Sequence, residues 1–171
     1  MNLTLIAFAL LLISSSATAQ SIEFQAEFLG DISPGVQQWQ YTYFVNGYSF
    51  GSGDGFSVQF DAPEFGPISG PLSAGSAWDS LVFQTDPLIP AEGLYDAVAN
   101  SDGAATDTPF SVTFEWTGAA PPGAQSYQVF DENFATLSTG TTVPEPSLSL
   151  LVAAGCVGLG YLRTFERRFR A

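Results

Sequence analysis

The sequence has 171 residues, about the size of one ordinary domain, and a formal net charge of −13. Its four basic residues are arginines within the last nine positions, and it contains no histidine. Residues 1–162 therefore cannot neutralise phosphate, which excludes nucleic acid as a partner. The lack of histidine excludes Ser-His-Asp and Cys-His nucleophiles and His-containing zinc sites.

The N-terminus has the pattern of a secretory signal peptide over residues 1–19. Its apolar run at 3–13, interrupted only by Thr4, is too short to span a bilayer. The small residues Ala17 and Ala19 then fit the pocket of signal peptidase, which places the cut before Gln20. A buried N-terminal helix is the alternative, although the run lacks an amphipathic period.

Alternation with a period of two dominates the middle of the chain. Residues 22–28 alternate apolar side chains with Glu and Gln, and residues 39–45 place Trp and Tyr side chains on one face. The pair Asn46-Gly47 favours a type I′ turn, which predicts a hairpin that returns through residues 48–50.

Further short strands are predicted along the chain, separated by Gly, Pro, Asn or Asp. They cover residues 56–60, 78–85, 94–99, 110–116, 126–130 and 134–138, with a proline-rich loop at 61–71. About eight or nine short strands without a convincing helical pattern favour an all-β domain over residues 20–142. We expect an antiparallel β-sandwich of jelly-roll type.

The C-terminal segment has three parts in a fixed order. A Thr, Ser and Gly-rich linker is predicted at 136–143, and the tail at 143–171 opens with Pro144-Glu145-Pro146. Residues 147–162 are uncharged and would reach about 24 Å as a helix, a marginal transmembrane span. The basic end at 163–171 follows and should stay cytoplasmic. Its arginines are Arg163, Arg167, Arg168 and Arg170.

This order resembles the PEP-CTERM sorting signal of Gram-negative, exopolysaccharide-producing bacteria. The resemblance covers residues 143–171, and the signal peptide at the other end fits it. It implies that an exosortase, a membrane-embedded transpeptidase-like enzyme, recognises Pro144, Glu145 and Pro146 and cuts near them. It also implies transit through the inner membrane, and a final place at the cell surface or in the extracellular matrix.

The two prolines have a physical effect of their own. Proline fixes φ and lacks an N–H donor, so Pro144 and Pro146 should hold the motif extended and prevent the membrane helix from growing into it. We therefore expect an accessible motif in which Glu145 offers the local charge. Cys156 in the apolar run is interpreted as a small apolar side chain, with lipidation as the alternative.

Carboxylates are the remaining side chains in the middle domain that could act as catalytic groups or metal ligands. A pair drawn from Glu23, Glu27, Glu64, Glu92 and Glu115 could hydrolyse a glycoside, but alternating Glu on strands is ordinary surface, so we predict no enzyme. No cofactor or metal site is predicted. Calcium is the alternative, with ligands from glycine-rich loops. Its candidate ligands are Asp54, Asn100, Asp102 and Asp107.

Carbohydrate is the ligand class that suits the fold best. Sugar sites combine an aromatic platform with amides and carboxylates, whereas a sandwich core also uses aromatic residues. The candidate platform is Trp39, Tyr41, Trp78 and Trp116. Two functions thus stay open: a structural surface or matrix protein associated with exopolysaccharide or biofilm, and a carbohydrate-binding module delivered by the same route.

Overall fold

The computed structural model describes residues 20–62, 64–70, 75–86, 88 and 91–145. The ten strands in these ranges are β1 (Ser21–Ser33), β2 (Val36–Asn46), β3 (Gly55–Phe60), β4 (Phe65–Ser69), β5 (Trp78–Phe83), β6 (Gly93–Ala99), β7 (Phe110–Trp116), β8 (Ser126–Phe130), β9 (Thr136–Thr141) and β10 (Val143–Pro144). Over these same ranges no helix occurs that is long and apolar enough to cross a membrane.

Several sequence predictions lie outside the described residues. They are the signal peptide with Ala17 and Ala19, the last motif residue Pro146, the transmembrane helix at 147–162 and the basic end at 163–171.

The strands form two five-stranded sheets. Sheet A has the order β10-β1-β2-β7-β4, and sheet B has the order β5-β6-β3-β8-β9. All neighbours are antiparallel except β10, which runs parallel to β1. The prediction of an all-β domain built from two largely antiparallel sheets is confirmed.

The period-two pattern explains the core between the sheets. Most strands place alternate apolar side chains inward, with β9 and β10 as exceptions, and aromatic rings from opposite sheets meet edge to face. Phe110 of sheet A lies 4.9 Å from Phe56 and 5.0 Å from Trp78, both in sheet B, between ring centroids. Phe60 of sheet B similarly meets Phe65 of sheet A at 5.2 Å. Such pairs contribute about 0.5–1.5 kcal/mol each beyond the burial of their area.

The predicted hairpin at Asn46-Gly47 is wrong. The chain does turn there, with Gly47 at a φ of 73°, but residues 48–50 form no strand. β2 pairs with β1 along one edge and with β7 along the other as far as Tyr43, so a long returning strand has no edge to pair with. The hairpin instead turns at Pro34-Gly35, and the chain crosses to sheet B after Asn46.

The proline-rich loop contains a strand that the sequence did not predict. β4 pairs with β7 at the edge of sheet A, and its register shifts between Phe65 and Ile68, around Pro67. Proline removes a ladder donor, so it fits sheets at edges and bulges.

The predicted linker at 136–143 is also wrong, because β9 occupies most of it and pairs with β8. The strand predicted from residue 134 begins two residues later. Phe134 has a φ of 60° and stacks on Phe130, while the Asp131 carboxylate accepts hydrogen bonds from the N–H groups of Asn133 and Ala135. This turn delays the strand until Thr136.

We predict that Gly55→Ala destabilises the fold by about 1–3 kcal/mol, because a Cβ there would meet the Ala97 carbonyl oxygen at 2.4 Å and the Phe130 ring at 2.6 Å. Urea unfolding followed by tryptophan fluorescence measures the change. Gly123→Ala is the matched control, since its Cβ would meet no atom within 4 Å. Equal stability of the two variants would contradict the packing at Gly55.

Candidate functional site

Three of the four predicted platform residues lie in the core. The exposed fraction is 0% for Tyr41, 1% for Trp78 and 6% for Trp116. A sugar ring cannot reach these side chains in the folded domain. The predicted four-residue platform is therefore not present as a surface.

These three side chains secure loops instead. The Tyr41 hydroxyl donates to the Gly123 carbonyl at 2.7 Å, and the Trp116 indole donates to the Ala120 carbonyl at 2.7 Å. The Trp78 indole donates to the Ala105 carbonyl at 2.8 Å. Burial raises the pKa of Tyr41 well above its ordinary value, so the phenol stays neutral and keeps its donor.

Trp39 is the residue of the predicted platform that remains partly exposed to solvent. It is half-buried, and its ring lies 5.4 Å from that of Phe28 in an edge-to-face pair. Its indole N–H donates to the Gln37 side-chain oxygen at 3.0 Å. We call Phe28, Gln37 and Trp39 the aromatic shelf.

The shelf lies toward the turn of the β1–β2 hairpin. Phe28 is 48% exposed, and the neighbouring Leu29 and Ile32 are also exposed. The sequence prediction missed Phe28 and Gln37, because their closeness to Trp39 depends on a turn at Pro34-Gly35. A turn at Pro34-Gly35 alone, with Ser33 opposite Val36, would set Phe28 opposite Tyr41. Two register shifts, between Phe28 and Gly30 and between Asp31 and Ser33, bring Phe28 opposite Trp39 instead.

Two predicted calcium ligands come close together but are engaged by backbone. Asp54 accepts the N–H of Gly51 at 2.7 Å, and Asp102 accepts the N–H of Ser52 at 2.8 Å. Asn100 donates its own backbone N–H to the Ala77 carbonyl. Within the described ranges, no three or more His, Cys, Asp or Glu side chains cluster in a way that could hold a metal ion.

The glutamates considered for hydrolysis are spread over surface positions. Glu23 and Glu27 lie on β1 and Glu115 on β7, and β2 runs between those strands. Two strand spacings amount to roughly 10 Å, wider than the carboxyl separation of about 5–9.5 Å in most glycosidases. Glu64 and Glu92 are exposed outside the strands.

The first two residues of the predicted sorting motif are docked on sheet A. Val143 and Pro144 form β10 opposite Glu23 and Phe24 of β1. The Glu145 N–H donates to the Phe24 carbonyl at 3.0 Å. The Gln25 side-chain amide also donates to the Glu145 carboxylate.

The residue before β10 anchors it. Thr142 is 1% exposed, and it makes two hydrogen bonds with Gln125, which is also buried. The Thr142 N–H donates to the Gln125 carbonyl at 2.8 Å, and the Gln125 N–H donates to the Thr142 hydroxyl at 2.9 Å. We call Thr142–Glu145 the docked segment. The motif is extended and Pro144 is exposed, as the sequence predicts, but Pro144 and Glu145 are held against β1.

Comparison of the sequence with protein-family models and with curated proteins finds no match in either case.

Asp96 is a carboxyl that the fold makes costly to ionise. It lies half-buried on the outer face of sheet B, where its Oδ1 atom is buried without a hydrogen-bond partner. Burial raises the pKa of Asp96 above 3.8, although a hydrogen bond with Ser57 lowers it in part. The folded state therefore binds this proton more tightly than the unfolded state, and stability falls as pH rises through the folded pKa.

We predict that Asp96→Asn stabilises the domain at pH 7, because the buried charge is removed, and that the gain vanishes below the unfolded pKa of about 3.8. Urea unfolding at pH 7 and pH 3.5 measures both points. Asp79→Asn, an exposed carboxyl on the same face, is the control for net charge. An equal gain in both variants would show that the stabilisation comes from the lower net negative charge and not from the burial of Asp96.

Proposed function

We propose that this chain is an exported structural protein of the cell surface or extracellular matrix in a Gram-negative-type bacterium, associated with exopolysaccharide or biofilm. The signal peptide at 1–19 directs export and is removed by signal peptidase. The tail at 143–171 is the substrate of an exosortase. Before processing, the C-terminus with Arg163 and its neighbours is cytoplasmic, and the domain lies outside the inner membrane.

The observation that carries this proposal is the separation of charge along the chain. Every charged side chain between residues 20 and 145 is acidic, and every cation lies beyond residue 162. An acidic domain stays soluble outside the cell and is repelled by anionic lipid, whereas the arginines hold the end of the tail on the cytoplasmic side. The chain serves as a processed substrate and surface component, and no catalytic role is proposed.

The finer description of the fold is part of the proposal. The pairings β2–β7 and β3–β6 are those that a long hairpin gives when it folds over into a jelly roll. The local hairpins β1–β2, β5–β6 and β8–β9 depart from that order. We propose a jelly-roll-like sandwich with added local hairpins, followed by one transmembrane helix at 147–162.

We predict that the double variant Glu145→Gln with Pro146→Ala leaves the full-length precursor uncleaved in the membrane, because the residues read by the enzyme are lost. Immunoblotting of membrane and secreted fractions from the native host measures it. The control is Glu132→Gln with Pro121→Ala, which changes an exposed Glu and an exposed Pro elsewhere. Normal processing of the first variant would refute the sorting proposal.

The aromatic shelf supports a second candidate, a carbohydrate-binding module. Phe28 and Trp39 offer a partly exposed pair of rings, and Gln37 supplies an amide beside them. An aromatic face with a neighbouring amide is the combination that sugar recognition requires. This candidate changes what the domain does at its destination and leaves the route of export unchanged.

We predict that Trp39→Ala lowers the affinity for the host exopolysaccharide by about tenfold or more, since an anchoring tryptophan is often worth over 1 kcal/mol. A pull-down titration on the purified polysaccharide measures it. Phe134→Ala is the control, because Phe134 is 71% exposed outside the shelf. Binding that does not saturate, or equal binding by the two variants, would contradict the carbohydrate-binding candidate. The structural role would then be the remaining proposal.

A further inference from the structure

We propose that the folded sandwich masks its own sorting motif, so that β10 must leave β1 before a processing enzyme can take up Pro144 and Glu145. This inference rests on the proposed function, and it adds regulation to the site that the tail provides. It follows from how each residue of the docked segment is held.

The upstream end of the segment is fixed in the protein interior. Thr142 and Gln125 are both buried and share two backbone-directed hydrogen bonds. The Gln125 side-chain oxygen also accepts a hydrogen bond from Tyr43, which is fully buried. Removing Thr142 from this position would leave buried polar groups without partners, at a cost of about 1–3 kcal/mol for each. We therefore expect Thr142 to stay in place when the motif opens.

The downstream end engages the two groups that an enzyme would read. A protein that binds an extended peptide uses the backbone of the peptide for affinity and its side chains for specificity. At Glu145 the backbone N–H is already bonded to the Phe24 carbonyl, and the carboxylate accepts from Gln25. The enzyme has to compete with β1 for both groups.

The strand between these ends is weakly held, which makes the mask reversible. β10 has two residues, both exposed, and Pro144 has no N–H to add to the ladder. A net hydrogen bond is worth about 1 kcal/mol, so the segment from Val143 onward can open locally while the sandwich stays folded. Processing would then depend on how often β10 is open.

The test is Gln25→Ala, which removes the side-chain bond to Glu145 and leaves the motif sequence intact. We expect the precursor to be processed at least about twofold faster in a pulse-chase in the native host. Gln38→Ala is the matched control, an exposed glutamine on the adjacent strand β2 whose side chain makes no hydrogen bond to a described residue. Its processing rate should equal that of the wild type.

A second measurement does not depend on any enzyme. Amide exchange of Glu145, followed by NMR on the full chain in detergent micelles, reports its bond to the Phe24 carbonyl directly. We expect slowed exchange in the wild type, faster exchange in Gln25→Ala, and no change in Gln38→Ala. Exchange of Glu145 at the rate of an unprotected amide in the wild type would overturn the proposal.

The outcomes separate this inference from the sorting proposal. If Gln25→Ala is processed at the wild-type rate or more slowly, while Glu145→Gln with Pro146→Ala blocks processing, masking is wrong and sorting stands. If the double variant is processed normally, sorting is wrong, and the Glu145 exchange rate alone decides whether the segment is masked.

Discussion

Edge-to-face packing of aromatic rings between the two sheets is the interaction on which the rest of the structure depends. Phe110 of sheet A meets Phe56 and Trp78 of sheet B, and Phe60 of sheet B meets Phe65 of sheet A in the same manner. With no intrachain disulfide available from a single cysteine, the sheets are held together without a covalent cross-link, and this packed core is the main contact between them. The same burial withdraws most aromatic side chains from the surface. Among the described residues, Phe28, Phe83 and Phe134 are exposed, and Trp39, Phe44 and Tyr48 are half-buried.

The elements predicted well are those whose pattern is local. The strand at residues 110–116 has the same bounds as β7, and the strand at 126–130 has those of β8, because strict alternation between turn residues defines both. The hairpin at Asn46-Gly47 failed because the pairing of β2 is decided by β7, which lies over sixty residues away. Trp39 and Tyr41 share one face of β2. The period-two pattern could not reveal that Tyr41 lies in the core and Trp39 near the hairpin turn.

The docked segment changes how the domain and the tail relate to each other. The sequence predicts a flexible linker before the motif, since Thr, Ser and Gly are frequent there. The structure has β9 over most of that stretch, followed by Thr142 in the core and β10 on β1. Composition could not predict this, because each contact depends on a partner outside the stretch: β9 pairs with β8, Thr142 bonds to Gln125, and β10 pairs with Glu23 and Phe24. The motif is consequently part of the folded unit over its first two residues.

The outer edge of β1 has a consequence for contacts between copies of the chain. In the part of the chain that the structure describes, β10 covers this edge only at Glu23 and Phe24. Farther along, the register shifts after Phe28 and again after Asp31, and acidic side chains stand at Glu27 and Asp31. A kinked, negatively charged strand is a poor template for another copy. Another copy would therefore not readily extend sheet A by pairing along this edge of β1.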